Sequence, residues 1–237
     1  MKTIKQIITV VALAIFMLGS FNINAQKNNS LDYVGKSHNK NLDKIYNLLK
    51  VKNINSKEEA IQEIIKISKK LITTNDREIL DFQNNDFNFY PIQTYDFYFK
   101  LIESKKDINI PSDYKNYMRK MELLINTQDK QGLVKLVDEV NNNVKNKNTQ
   151  EGILATIAVA YNSLEYWGIN SNQDKWNVFK FVSKTNKEKK AWWKVGAVDA
   201  IACVGSIALG FFTAGIAWAG VGIATATSSA IAAVMIQ

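Results

Sequence analysis

The side chains best suited to chemistry are Asp32, His38 and Asn39, which lie within eight residues of one another. A carboxylate can orient an imidazole for general-base catalysis, so an enzyme is one interpretation of this motif. The same residues also suit a structural role. Asp32 before Gly35 predicts a turn, Asn39 or Asn41 a helix cap, and His38 a hydrogen-bonded link between a loop and the helices. No nucleophile, second acid or oxyanion glycine stands at a recognisable spacing, so we predict a structural motif and no catalysis.

Ligands for metals and cofactors are scarce in this sequence. The chain has one His and one Cys, which leaves little material for zinc sites, cysteine proteases or a disulfide framework. No P-loop and no GxGxxG glycine pattern occurs. Cys203 lies in an apolar segment, where an inert, small hydrophobic side chain is the expected role. We therefore predict no metal and no cofactor.

The first 25 residues have the pattern of a secretory signal peptide. Lys2 and Lys5 precede an apolar run, and Ala25 is a small residue suited to the position before the cleavage site. The apolar run is shorter than the roughly 20 residues that a transmembrane helix needs. The sequence therefore predicts an exported protein that is periplasmic, extracellular or membrane-associated.

The positive charge does not predict a nucleic-acid partner. The chain carries 30 Lys and Arg against 22 Asp and Glu, a net charge of +8, but Arg77 and Arg119 are its only arginines. Nucleic-acid binding favours clustered arginines interleaved with aromatic residues, and export makes such a partner still less probable. Weak attraction to anionic lipid stays open.

Helical periodicity runs through residues 26–183. Apolar residues recur at helical spacing, and Ser56 with Glu59 forms a capping box. Ser112 is the expected N-cap of a later helix, and residues 149–151 open another that is apolar on most sides and stops at Gly168. We find no convincing alternating strand pattern. The prediction is an all-α fold: an amphipathic helical bundle over residues 26–183, with an aromatic-rich loop at 81–103.

Residues 184–237 have a different composition, with a basic, tryptophan-containing linker before an uncharged stretch of 38 residues from Ala200 to Gln237. This length is close to twice the roughly 20 residues that one helix needs to cross a bilayer. We predict a Gly/Ala-rich helical hairpin with arms over about 193–212 and 216–236. Asp199, the acid in the first arm, is expected to pair with Lys194 or another lysine, or to act as a protonatable switch.

Two sets of residues define how the hairpin would be used. Small residues allow close packing of apolar helices, and Trp and Lys side chains suit a membrane interface. The predicted helix-packing residues are Gly205, Gly210, Gly215, Ala219, Gly220, Gly222, Ala224 and Ala226. The predicted membrane-interface residues are Lys189, Lys190, Trp192, Trp193 and Lys194.

Two functional classes follow from these patterns. In the first, the glycine-zipper-like hairpin associates with a membrane, as an anchor or as a pore-forming or antibacterial effector. Its partners would be membrane lipid, another membrane protein, further copies of the chain through the tail, or an immunity protein. In the second, the hairpin is the core of a soluble periplasmic or extracellular binding module. Glycine spacing is the same in both cases.

The segment from Asp32 to Asp43 reads D-Y-V-G-K-S-H-N-K-N-L-D. It resembles the start of uncharacterised secreted proteins of Bacteroidota-type bacteria, which carry a D-Y-x-G-x-x-H-N-x-x-L-D string after the signal peptide and often a Gly/Ala-rich C-terminal segment. This resemblance implies export and assigns no activity. In architecture, the tail also resembles the hydrophobic hairpin of pore-forming colicins and the glycine-zipper peptides of two-component bacteriocins.

Overall fold

The computed structural model describes residues 28–72, 99–100, 103–104, 109–176, 195–196, 199–200, 202–204, 207 and 218–235. The fold is all-α, and most of the described residues lie in helices. The helices are α1 (Asp32–Leu49), α2 (Lys57–Leu71), α3 (Ser112–Asn126), α4 (Lys130–Asn143), α5 (Lys147–Gly168), α6 (Asn170–Trp176) and α7 (Trp218–Met235). The described residues between 195 and 207 are also helical, and we call them the 195–207 segment.

Helix α5 is the centre of the fold. It packs against α1, α3 and α4, and its residues from Gly152 to Leu164 are all buried. This burial is expected of a helix that is apolar on most sides. Asn146 caps the helix by accepting a hydrogen bond from the Thr149 amide at 3.0 Å, so α5 begins slightly before the predicted start.

Helix α7 also lies in the interior. It packs against α1 and α2, and its residues from Gly220 to Val234 are buried. Gly222 sits against α1, because a β-carbon at this position would lie 3.2 Å from the Ser37 hydroxyl oxygen and 3.4 Å from Ser37 Cβ. A small residue at this position therefore allows close helix contact, whereas Ala219 is exposed.

The structure corrects two local predictions. Asp32 and Gly35 do not form a turn, and Asn39 and Asn41 do not cap a helix, because all four lie inside α1. In addition, Ser112 is the first residue of α3 and Pro111 holds the cap position, without a side-chain cap. Helix packing has overridden the turn preference of these residues, which is a weak local effect.

The predicted capping box is present at the start of α2. The Ser56 hydroxyl oxygen accepts a hydrogen bond from the Glu59 amide at 3.0 Å. The Glu59 carboxylate in turn accepts a hydrogen bond, but from the amide of Asn55 at 2.8 Å rather than from that of Ser56. The motif therefore satisfies two amides that have no acceptor within the helix.

Replacing Ser56 with alanine should lower the free energy of unfolding by about 1 kcal/mol, because the Glu59 amide loses its acceptor. Chemical denaturation followed by circular dichroism measures this change. Gln62→Ala, on the exposed face of the same helix, is the control and should stay within about 0.5 kcal/mol of the wild type. Equal effects of the two substitutions would contradict the capping role.

Candidate functional site

The most unusual feature of the interior is a cluster of polar side chains where four helical elements meet. His38 comes from α1, Ser163 and Trp167 from α5, Asp199 from the 195–207 segment, and Ser229 from α7. All five are buried, and both His38 and Asp199 are completely inaccessible to solvent. Buried ionisable groups are costly unless they are paired and hydrogen-bonded, so the contacts of this cluster determine its stability.

Gly35 brings α1 close enough to α5 to form the cluster. A β-carbon at this position would lie 2.2 Å from the Ala158 carbonyl oxygen and 2.5 Å from the Asn162 side-chain nitrogen. Asn162 donates hydrogen bonds to Asp32 Oδ1 at 3.1 Å and to the Ala158 carbonyl at 2.9 Å. The Asp32 and Gly35 positions of the motif therefore both contact α5.

Asn39 fixes the protonation pattern of His38. Its side-chain amide donates to the Asn162 carbonyl at 3.0 Å, so its Oδ1 atom faces His38 Nδ1 at 2.8 Å. An amide oxygen can only accept, and Nδ1 must therefore carry the hydrogen. In the neutral ring the other nitrogen, Nε2, is then an unprotonated acceptor, and it lies 3.5 Å from Asp199 Oδ2.

The Asp199 carboxylate is held mainly through one of its oxygens. Oδ2 accepts hydrogen bonds from the Ser163 hydroxyl and, at 3.3 Å, from the Trp167 indole N–H. The other oxygen, Oδ1, is buried without a hydrogen-bond partner. Burial raises the pKa of Asp199 above its ordinary value, although His38 and the neighbouring donors act in the opposite direction.

Lys194, the first lysine predicted as a partner of Asp199, lies outside the described residues. Within the described residues the ionisable neighbour of Asp199 is His38, which the motif at the start of the chain supplies. The alternative prediction, a protonatable group, is compatible with its position. Four members of the cluster or its support were missed by the sequence reasoning: Asn162, Ser163, Trp167 and Ser229. The sequence feature that could have indicated them is the presence of polar residues within two otherwise apolar helices.

Cys203 lies one helical turn after Asp199 and is also buried. Burial raises the pKa of its thiol to about 12. The thiol therefore stays protonated at neutral pH, which makes it a poor nucleophile. This environment agrees with the predicted role as an inert hydrophobic residue.

The cluster has residue types found in catalytic sites without their arrangement. The Ser163 hydroxyl bonds to Asp199 rather than to the histidine, so the contact of a nucleophile with its base is missing here. No group of three or more His, Cys, Asp or Glu side chains suited to a metal occurs among the residues that the structure describes. What the cluster can do chemically is hold a proton between α1 and the 195–207 segment.

A second cluster, at the protein surface, was not predicted. The Lys175 ammonium group forms an ion pair with Asp43 and lies 5.1 Å from the ring centres of both Tyr46 and Tyr166. Tyr166 also donates a hydrogen bond to Asp43 at 2.8 Å, and burial raises the pKa of this phenol. Because Lys175 itself occupies the space between the rings, we interpret this cluster as the contact that holds α6 against α1 and α5.

The predicted tail residues fall into two groups. Of the predicted helix-packing residues, Gly220, Gly222, Ala224 and Ala226 are buried on α7. The signal peptide, the five membrane-interface residues Lys189, Lys190, Trp192, Trp193 and Lys194, and the three glycines Gly205, Gly210 and Gly215 lie outside the described residues.

Helix α7 meets the length and composition of a membrane-spanning helix. Its 18 residues have a mean hydropathy of 1.4, and 83% of them are buried inside the protein. A core helix of a soluble protein has the same properties, so composition alone does not assign its environment. No family model, curated protein or solved structure matches this chain.

Proposed function

We propose that this chain is an exported, non-catalytic helical protein whose C-terminal apolar segment is part of its core and whose outer surface binds a partner. One observation carries the proposal: the buried Asp199 carboxyl group, in the apolar segment, lies 3.5 Å from the buried His38 imidazole of α1. A segment used mainly as a membrane anchor does not need a fully buried polar contact with the bundle.

The packing of α7 supports the same role. Ser229 accepts a hydrogen bond from the Trp167 indole at 3.2 Å, which joins α7 to α5. On its other side, Gly222 lies against Ser37 of α1. Removing α7 from the bundle would expose the buried apolar residues of α1 and α2 that pack on it, and this exposure is unfavourable in water.

The proposed lack of catalysis follows from the position of the single histidine of the chain. His38 has no solvent-exposed surface, and its Nδ1 atom is bound to Asn39. A general base must lie within hydrogen-bonding reach of a substrate, and no substrate can reach this imidazole while the helices are packed.

Membrane association through α7 is the second candidate function, either as an anchor or as a pore-forming effector. It is favoured by the way α7 satisfies its own hydroxyl groups. Thr225 donates to the Val221 carbonyl and Thr227 to the Ile223 carbonyl, both at 2.8 Å, and Ser228 donates to the Ala224 carbonyl at 3.2 Å. These bonds lie within the helix and would be kept in a lipid environment.

An engineered disulfide between α1 and α7 can distinguish the two candidate functions. The Ser37 Cβ atom lies 3.4 Å from the position of a β-carbon on Gly222, which is close to the spacing in disulfides. In a Cys203→Ala background, Ser37→Cys with Gly222→Cys should oxidise readily if the two helices stay packed. The measurement is flotation of the full mature chain with anionic and neutral liposomes, before and after reduction.

We expect the disulfide to form and neither form to float with lipid, since α7 stays in the core. Flotation of the reduced form alone would reject this proposal and support membrane association through α7. Flotation of both forms would place the lipid contact elsewhere on the chain. The Cys203→Ala protein is the control for the loss of the native thiol, and Ser37→Cys alone is the control for an unlinked cysteine.

A further inference from the structure

We propose that His38 and Asp199 share a single proton in the folded protein, and that loss of this proton opens the contact between α1 and the 195–207 segment. The inference concerns the closed fold itself and is independent of the binding or membrane role. It follows from three observations: the hydrogen-bonding pattern around His38, the asymmetric environment of Asp199, and the groups that surround the pair.

The geometry accommodates one proton. His38 Nδ1 carries its hydrogen toward Asn39, so without a further proton Nε2 and Asp199 Oδ2 are two acceptors 3.5 Å apart. A proton on Nε2 or on the carboxyl group converts this repulsion into an attraction. A second proton would neutralise Asp199 beside a buried imidazolium and leave that charge without a counter-ion. The singly protonated pair therefore has the best-satisfied contacts.

Among the described residues near the pair, few other groups titrate around neutral pH. Helix α5 contributes Ser163, Trp167 and the Tyr166 phenol, the segment itself contributes the Cys203 thiol, and α7 contributes the Ser229 hydroxyl. Burial raises the pKa of both Tyr166 and Cys203, so these groups stay neutral up to alkaline pH. On α1, Asp32 is paired with Lys36 at 2.6 Å. The described part of α7 has no charged residue.

The direction of the pH dependence follows from Asp199. Burial raises its pKa in the folded state above the value of about 3.9 in an unfolded chain. A group with a raised pKa contributes stability that is complete below the unfolded value and is lost as pH rises through the folded value. The contact should therefore loosen as pH rises toward neutral and alkaline values.

Cys203 provides a direct measurement, because it is the only thiol in the chain and lies in the same segment as Asp199. The experiment follows its reaction with a dipyridyl disulfide at pH 6–9 under native conditions. Dividing each rate by that of the urea-unfolded chain at the same pH removes the intrinsic thiol chemistry and gives the opening constant of the segment. Relative to Asp199→Asn, the wild-type opening constant should rise with pH by up to tenfold per unit.

Asp174→Asn is the matched control, because it removes the same charge at an exposed position of α6. Its opening constant should rise with pH as steeply as that of the wild type. His38→Gln removes the imidazole that shares the proton with Asp199. The opening constant of this variant should then depend on pH as weakly as that of Asp199→Asn. Equal slopes in wild type and Asp199→Asn would overturn the proposal. So would a wild-type opening constant that stays flat or falls as pH rises, a result that does not require either variant to fold.

Discussion

Replacing Gly35 with alanine should lower the free energy of unfolding by about 3 kcal/mol or more, or prevent folding. The added β-carbon would lie 2.2 Å from the Ala158 carbonyl oxygen, a distance that non-bonded atoms do not tolerate. The obstacle is the backbone of the central helix α5 rather than the end of a flexible side chain. Relief therefore requires α1 and α5 to separate along their contact.

Two other glycines make the test specific. At Gly168, the last residue of α5, a β-carbon would meet no atom within 4 Å, so Gly168→Ala should be nearly neutral. At Gly222 the nearest atom is the Ser37 hydroxyl oxygen at 3.2 Å, which predicts a cost between the other two. Urea denaturation of the three variants measures this order. A Gly35→Ala protein as stable as Gly168→Ala would show that α1 and α5 are not in close contact there.

The motif from Asp32 to Asn39 is thus explained residue by residue as a contact surface. Asp32 accepts from Asn162, Gly35 allows the approach to Ala158, and Asn39 donates to the Asn162 carbonyl. His38 reaches beyond α5 to Asp199. The spacing of the motif is that of helix positions three and four residues apart, which share one face.

Periodicity made much of this fold predictable. The apolar spacing on α1 predicted a buried face of Leu42, Ile45, Leu48 and Leu49. All of these residues are buried except Leu48, which is exposed. The Ser56 cap and the end of α5 at Gly168 were also correct. These features depend on contacts within one helix, and local sequence therefore determines them.

The errors at the start of α1 have a different origin. Asp32 and Gly35 favour a turn when only neighbouring residues are considered. Their actual conformation depends on Ala158 and Asn162, which are distant in sequence. The partner of Asp199 was missed for the same reason, since lysines near it in sequence were considered and the histidine of α1 was not. Pairings between distant segments leave no local pattern.

The tail illustrates a further limit of sequence reasoning. Its small residues predicted close packing, and Gly222 meets α1 as that prediction requires. However, lipid tails and an apolar protein core select the same residue types, so hydropathy cannot distinguish these environments. The distinction depends on the polar atoms of the segment, namely Asp199 and Ser229, and on where their partners lie.

The second large effect concerns the charge of Asp199. His38→Leu should lower the free energy of unfolding at pH 7 by about 3–5 kcal/mol, because it removes the group with which the buried Asp199 shares its proton. Ser163 and Trp167 would still donate to Oδ2, but these neutral groups do not replace a counter-ion. Urea denaturation at pH 7 measures the loss. Lowering the pH should restore part of it, because a protonated Asp199 carries no charge.

A second substitution in the same protein tests whether charge or packing is responsible. Asp199→Asn retains a side-chain oxygen that can accept from Ser163 and Trp167, but it removes the uncompensated charge. If charge dominates, His38→Leu with Asp199→Asn should be more stable at pH 7 than His38→Leu alone, by more than about 1 kcal/mol. A double variant that is equally or less stable would mean that the imidazole acts through its shape and its bond to Asn39. The His38–Asp199 pair would then not be the ionic contact that joins the apolar segment to α1.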